Sequence, residues 1–255
     1  MRFVRIFWGD INRYHNQIKE AKEDNLNEMV YVWGKENYTI LNEMGYECYL
    51  INENSYDYTI ASGHTFVDYR SLTHKIVGLK IALEQYKEVI FLDWDVRKVK
   101  ELDDNFYDLI KSKGSSLQVP LYVYPSNAFT FLKESTHDYK MVNFFNVLEK
   151  SIRKYAYNLG DNFILPNTGF IYCNDIKIAD RLLAIIQEQN MESVPDELSV
   201  AYHYKNFKVN EYVMYIEPMV IGTKESGYDW WDNEEQKLMD YKKAYIIKDV
   251  YFKHK

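Results

Sequence analysis

The chain has 255 residues, 47% of them hydrophobic and 27% charged, which places it among globular proteins and excludes a disordered or coiled-coil chain. Ten Gly and five Pro exclude collagen-like and Pro-rich low-complexity sequences, and two cysteines, Cys48 and Cys173, are too few for a disulfide framework or a four-ligand zinc site. A net charge of -7 argues against a general nucleic-acid binder, whose footprint is basic, while leaving room for a local basic groove.

The first apolar run, Phe3 to Trp8, carries Arg5 within it and Arg2 before it and is too short for a signal-peptide core. No run approaches the length needed to span a bilayer, so the expectation is a soluble, cytoplasmic protein with reduced cysteines. Phe3 to Trp8 reads as a strand, followed by a polar loop over Gly9-Asp10-Ile11-Asn12. Met29 to Trp33 is a second strand, Glu36 to Met44 a helix stopped by Gly45, and Tyr46 to Ile51 a third strand. Ser71 can cap a helix with Leu72, Ile76, Leu79, Leu83 and Tyr86 as its apolar stripe. Val89 to Leu92 is continuously apolar, as strands covered on both faces are. Leu117 to Tyr124 reads as a strand, Met141 to Tyr155 as a helix and Gly169 to Cys173 as a strand. Ile176 to Gln189 is a helix capped by Asp175, and Pro195 opens another that runs to about Tyr204. Val209 to Ile216 and Ala244 to Ile247 are late strands. Strands alternating with helices predict an α/β fold with a mostly parallel sheet that becomes mixed in the second half, as a single domain over 1–255.

Asp93-Trp94-Asp95 directly follows the most apolar strand. Chance alone gives about one Asp-x-Asp in such a chain, so the information lies in the location. Ligands of open α/β sheets bind beyond the carboxyl ends of the strands. Two carboxylates alternating along an extended segment would point the same way and repel unless a cation bound beside them. A hard divalent ion shared with substrate phosphates would meet that need. Surface turn residues are the plainer alternative.

Residues 74–79 with 89–96 resemble the helix, strand and DxD motif of GT-A fold nucleotide-sugar glycosyltransferases. Asn167-Thr168-Gly169-Phe170 resembles the strand entry that lines the cleft of that family, and Asp196-Glu197 its acceptor-side acidic pair. The resemblance spans roughly 3–205 and implies a metal-dependent transferase of the EC 2.4 class. It implies a UDP-sugar or similar donor and Mn²⁺ or Mg²⁺ on Asp93 and Asp95, with Asp93 also facing the ribose and a late His, His254, completing the set. Asp10 and Asn12 would lie where the base edge is read, Trp8 or Tyr14 would stack on the base, and Lys75 would face the diphosphate unless it is an exposed helix lysine. Asn167, Thr168 and Gly169 would line the donor side. The nucleotide-binding half would cover about 1–115 and the acceptor-side half about 116–255. The familiar C-terminal H-x-x-G-x-x-K-P-W loop is absent from these residues.

Transfer from a nucleotide diphosphate develops charge on the leaving phosphate, which a metal and nearby cations stabilise. An inverting enzyme also needs a base near the acceptor hydroxyl, for which Asp196 and Glu197 are the candidates. Acids at a helix N-terminus also suit the helix dipole alone. A sugar-phosphate nucleotidyltransferase would want a Gly-rich basic loop after the first strand, where this chain has a single Gly. A non-catalytic carbohydrate-binding protein on the same fold is the other alternative. The acceptor would be a glycan or glycoconjugate; modified DNA stays open, with Arg153-Lys154-Tyr155 and Lys242-Lys243 as a possible basic track.

Overall fold

The computed structural model describes residues 1–52, 73–112, 114–125, 130, 133–134, 139–159, 162–191, 194–206, 213–215, 221–223 and 251–254. The first half runs β1 (Arg2–Phe7), α1 (Ile11–Lys22), β2 (Glu28–Val32), α2 (Lys35–Glu43), β3 (Glu47–Leu50), α3 (Thr73–Gln85), β4 (Val89–Leu92), β5 (Val96–Lys98), α4 (Asp104–Lys111) and β6 (Leu117–Val119). There follow β7 (Leu121–Pro125), α5 (Tyr139–Tyr155), β8 (Tyr157–Leu159), β9 (Asn162–Pro166), β10 (Phe170–Cys173), α6 (Ile176–Gln189) and α7 (Pro195–Asn206). The last elements are β11 (Val213–Tyr215), β12 (Ile221–Thr223) and β13 (Phe252–His254).

A seven-stranded sheet in the order β11-β6-β10-β4-β1-β2-β3 forms the centre. β3, β2, β1 and β4 are parallel to one another, β10 runs antiparallel between β4 and β6, and β11 is parallel to β6. The chain leaves β1 toward β2 on one side and returns to β4 on the other, so a crevice opens beyond the carboxyl ends of β1 and β4. β4 is buried throughout, as its unbroken apolar run predicts. β12, β13 and β5 form a second small sheet, and β7, β9 and β8 a third.

One face of the central sheet carries Val4, Ile6 and Phe91 against α3, α6 and α7. On the opposite face Phe3 joins a cluster with Phe106 and Phe252, while Phe7 joins another with Ile18, Leu41 and Tyr46. Arg5 lies between those two clusters in the alternation of β1. α3 is apolar nearly all round, so it is buried rather than a surface helix with one stripe. It packs so closely that a Cβ at Gly78 would fall 2.6 Å from Ile6 Cδ1 and 2.7 Å from Ile6 Cγ1.

Several local expectations are corrected. The segment after β1 is no loop: Asp10 caps α1 at once, its carboxylate accepting the Asn12 N–H at 3.0 Å. The expected strand over 117–124 is two strands in two sheets, divided at Pro120, whose missing N–H cannot continue a ladder. α4, β5, β8 and β9 add elements that periodicity did not signal. The expected Ser71 cap and the strand at 244–247 lie outside the described residues. Cys48 and Cys173 are free thiols. No helix among the described residues is long and apolar enough to cross a membrane.

Candidate active site

Asp93-Trp94-Asp95 is a tight turn between β4 and β5, closed by the Val96 N–H donating to the Asp93 carbonyl at 3.1 Å. The extended segment expected from the sequence is therefore replaced by a bend, and both carboxylates are partly exposed at its rim. The cation beside Asp93 comes from the protein itself. Lys75, in the first turn of α3 and 4% exposed, donates to Asp93 Oδ2 at 2.9 Å and pairs with Asp196 Oδ2 at 2.9 Å. It is thus not an exposed helix lysine. Burial alone would lower the ammonium's pKa, but the Asp196 and Asp93 carboxylates outweigh it and hold Lys75 above its ordinary range.

The turn between β9 and β10 closes this cluster. Asn167 Oδ1 accepts the Gly169 N–H at 2.8 Å, and the Gly169 carbonyl accepts the Asp93 N–H at 2.8 Å. Thr168 Oγ1 lies 3.3 Å from Lys75 Nζ and donates to Asp196 Oδ2. Pro195 opens α7 with Asp196 and Glu197 in its first turn, so both acids sit at the positive end of the helix. Asp196 is buried, and its second oxygen, Oδ1, has no hydrogen-bond partner. Glu197 is partly buried, and loss of solvent, then the charges of Asp196 and Asp93, push its carboxyl up to about 8 against the opposing effects of Lys75 and the Thr168 N–H. An unpaired buried acceptor beside a carboxyl that is hard to ionise suits a ligand rich in hydroxyl groups.

The remaining sequence candidates spread around this centre. Trp8, just past β1, stacks on His74 at 5.5 Å and 11°, and His74 meets Trp33 edge-on at 4.6 Å. Asp10 and Asn12 are exposed at the start of α1. Tyr14 is 37% exposed with its ring edge-on to Phe7. The structure thus gathers Lys75, Asp93, Thr168, Asp196 and Glu197 into one cluster, with Asn167 and Gly169 shaping it.

Two residues, Arg5 behind the turn and Trp94 within it, carried no functional expectation. Arg5 is fully buried; its Nε donates to Glu28 at 2.8 Å and its Nη1 to the Asp93 carbonyl. Trp94 Nε1 donates to the Ile6 carbonyl at 2.9 Å, and its ring sits edge-on to Phe7 and Tyr46. A charge inside an apolar strand was the available signal for Arg5.

The fit of a divalent cation rests on register. β13 pairs antiparallel with β5 so that His254 lies opposite Val96, one residue past Asp95. Two carboxylates with a histidine-bearing strand alongside are a donor set that suits Mn²⁺ or Mg²⁺. Among the described residues no group of three or more His, Cys, Asp or Glu side chains is already gathered as a metal cluster.

No family model matches the sequence, and no curated protein matches it. Solved structures do. The apo form of mouse xyloside xylosyltransferase 1 is 12% identical with a TM-score of 0.53, covering 100% of this chain and 96% of that one. Galactosyltransferase LgtC, in complex with donor and acceptor sugar analogues, is 13% identical at a TM-score of 0.53, with coverages of 100% and 86%. The apo bifunctional glycosyltransferase WbbM is 14% identical at 0.54, and this chain spans 45% of it. The chain has the GT-A glycosyltransferase fold.

Proposed function

We propose that this protein is a glycosyltransferase that moves a sugar from a nucleotide-diphosphate donor, a UDP-sugar in the first instance, to a hydroxyl of a glycan or glycoconjugate. The carrying observation is the cluster at the end of β4, where buried Lys75 joins Asp93 to Asp196 beside a Glu197 that resists ionisation. In this reading residues 1–255 work as one domain, with the nucleotide on the side of about 1–115 and the acceptor on the side of about 116–255.

Asp93, Asp95 and His254 would hold Mn²⁺ or Mg²⁺. Such an ion, when bound, supplies positive charge to the departing diphosphate. Trp8 and Tyr14 offer aromatic faces to the base, with Asp10 and Asn12 as polar groups at the same strand end. Lys75 holds Asp93 and Asp196 in place, while Asn167 and Gly169 set the turn that carries Thr168. Asp196 Oδ1 accepts a sugar hydroxyl. Glu197, whose carboxyl is pushed up by burial and by the Asp196 charge, serves as an anchor or a base for the acceptor hydroxyl.

The test is a panel of nucleotide sugars with Mn²⁺ and no acceptor, read by released nucleotide. One donor is expected to hydrolyse slowly, and Asp95→Asn to lower that rate at least ~10²-fold with the melting temperature unchanged. Release at the wild-type rate from Asp95→Asn would remove the acidic turn from the site. Donor binding without turnover in any acceptor screen would favour a carbohydrate-binding protein.

A further inference from the structure

The acidic turn is held from behind by a buried ionic network that reaches no substrate. Arg5 spends its whole guanidinium there. Besides Glu28 and the Asp93 carbonyl, it faces the Val96 carbonyl at 3.4 Å from both Nη atoms and Asp24 Oδ2 at 3.8 Å. Asp24 in turn takes Arg97 Nε at 3.0 Å, Arg97 Nη2 at 2.8 Å and the Lys98 N–H at 3.1 Å. The network therefore grips both ends of the turn, at Asp93 and Val96, and the strand that follows it. That strand, β5, is the one against which β13 sets His254. The Arg5 guanidinium also lies 5.3 Å from the Trp94 ring centre, so the middle of the turn leans on the same group.

Burying two acids and two guanidinium groups contributes little net stability compared with apolar packing of the same volume. Neighbouring positions on this face, Phe3 and Phe7, show that the sheet accepts apolar side chains there. A planar fork with five donors in fixed directions can hold two carbonyls and a carboxylate in one rigid arrangement, which an apolar side chain cannot do and a freely rotating ammonium does not impose.

We propose that Arg5 is a positioning residue, which through Glu28, Asp24 and the Asp93 and Val96 carbonyls fixes the turn so that Asp93 and Asp95 meet a divalent cation in a preset geometry. This rests on the reading of that turn as the metal and nucleotide site. Arg5 touches neither substrate nor cation.

The test uses the full chain and UDP as probe, titrated by calorimetry with Mn²⁺ and again with EDTA. Wild type is expected to bind UDP at least ~10-fold more tightly with Mn²⁺, the size of effect that metal-supporting groups carry. Arg5→Lys keeps the charge but loses the fork, and Arg5→Met combined with Glu28→Met removes the pair together, so that no buried acid is stranded. Either folded variant is expected to lose that ~10-fold enhancement while its affinity in EDTA stays within about threefold. A merely structural role would lower the melting temperature and leave the ratio intact, and that result overturns the proposal. Wild type without any Mn²⁺ enhancement overturns the metal-site reading instead, and the positioning role falls with it.

Discussion

Arg5 and Lys75 are buried on opposite faces of the same sheet, each against two carboxylates, yet one cluster is closed and the other open. Around Arg5, no buried side-chain polar atom of Arg5, Asp24, Glu28 or Arg97 lacks a partner. Around Lys75, Asp196 keeps one oxygen unpaired, and burial pushes the Glu197 carboxyl up to about 8. Buried polar groups are normally satisfied, so the unpaired Asp196 oxygen is an acceptor that a ligand could complete. The same chemistry therefore serves two ends. A finished network holds the turn, and an unfinished one leaves an acceptor that the proposed function gives to a sugar hydroxyl.

The largest expected effect breaks this difference at its root. Arg5→Met strands Glu28 in a dry setting, while Asp24 keeps Arg97, and is expected to cost about 3–5 kcal/mol, the usual loss when one partner of a buried pair is removed. Lys75→Met strands buried Asp196 but frees only partly exposed Asp93, and is expected to cost about 3 kcal/mol, the low end of the same range. The smaller loss follows from Asp93, whose side chain is 29% exposed and can rehydrate. Urea unfolding measures both, and equal losses would erase the distinction between closed and open clusters.

A smaller effect sharpens the open side. Glu197 has its folded pKa raised from 4.5 to about 8, so between those values the folded state binds more protons than the unfolded chain. The resulting stability is present below pH 4.5 and is lost as pH climbs through about 8. Melting temperatures across that window are expected to fall in the wild type and to run flatter in Glu197→Gln. Parallel curves would show that Glu197 ionises normally. The smallest effect is a control remote from both clusters: Asp175→Ala removes the α6 cap, a carboxylate accepting the Lys177 N–H at 2.9 Å, for about 1 kcal/mol and no change in nucleotide affinity.

Legibility in the sequence followed how local each cause was. The α6 boundaries match the sequence reading because Asp175 caps the first turn and the apolar spacing is regular. β4 matches because a four-residue apolar run has no other comfortable place. α1 was hidden because its buried face consists of only Ile11, Ile18 and Ala21 among polar residues, and Gly9 and Asn12 beside the Asp10 cap look like loop. Pro120 was the visible warning within the long strand run. The site separates in the same way. Asp93, Asp95, Asp196 and Lys75 could be nominated singly, but that one ammonium joins Asp93 to Asp196 follows from α3 and α7 meeting over the sheet. Arg5 was visible as a charge in an apolar strand. Its partners, however, come from the end of α1, from β2 and from the turn after β4, and no spacing rule connects those segments.

The absent carbon at Gly78 works as a gauge. Ile6 fills the place where a Cβ would stand, so helix and strand come closest there through that side chain. Lys75 sits almost one turn earlier on that helix, so this contact bears on the depth at which its ammonium arrives over the sheet. Growth at either position would lift the helix and pull the ammonium away from both acids. Positions 6 and 78 are therefore free to vary only in opposite senses, one gaining bulk as the other gives it up. Lineages carrying this chain would transmit the spacing of their charged centre through two residues that bear no charge at all.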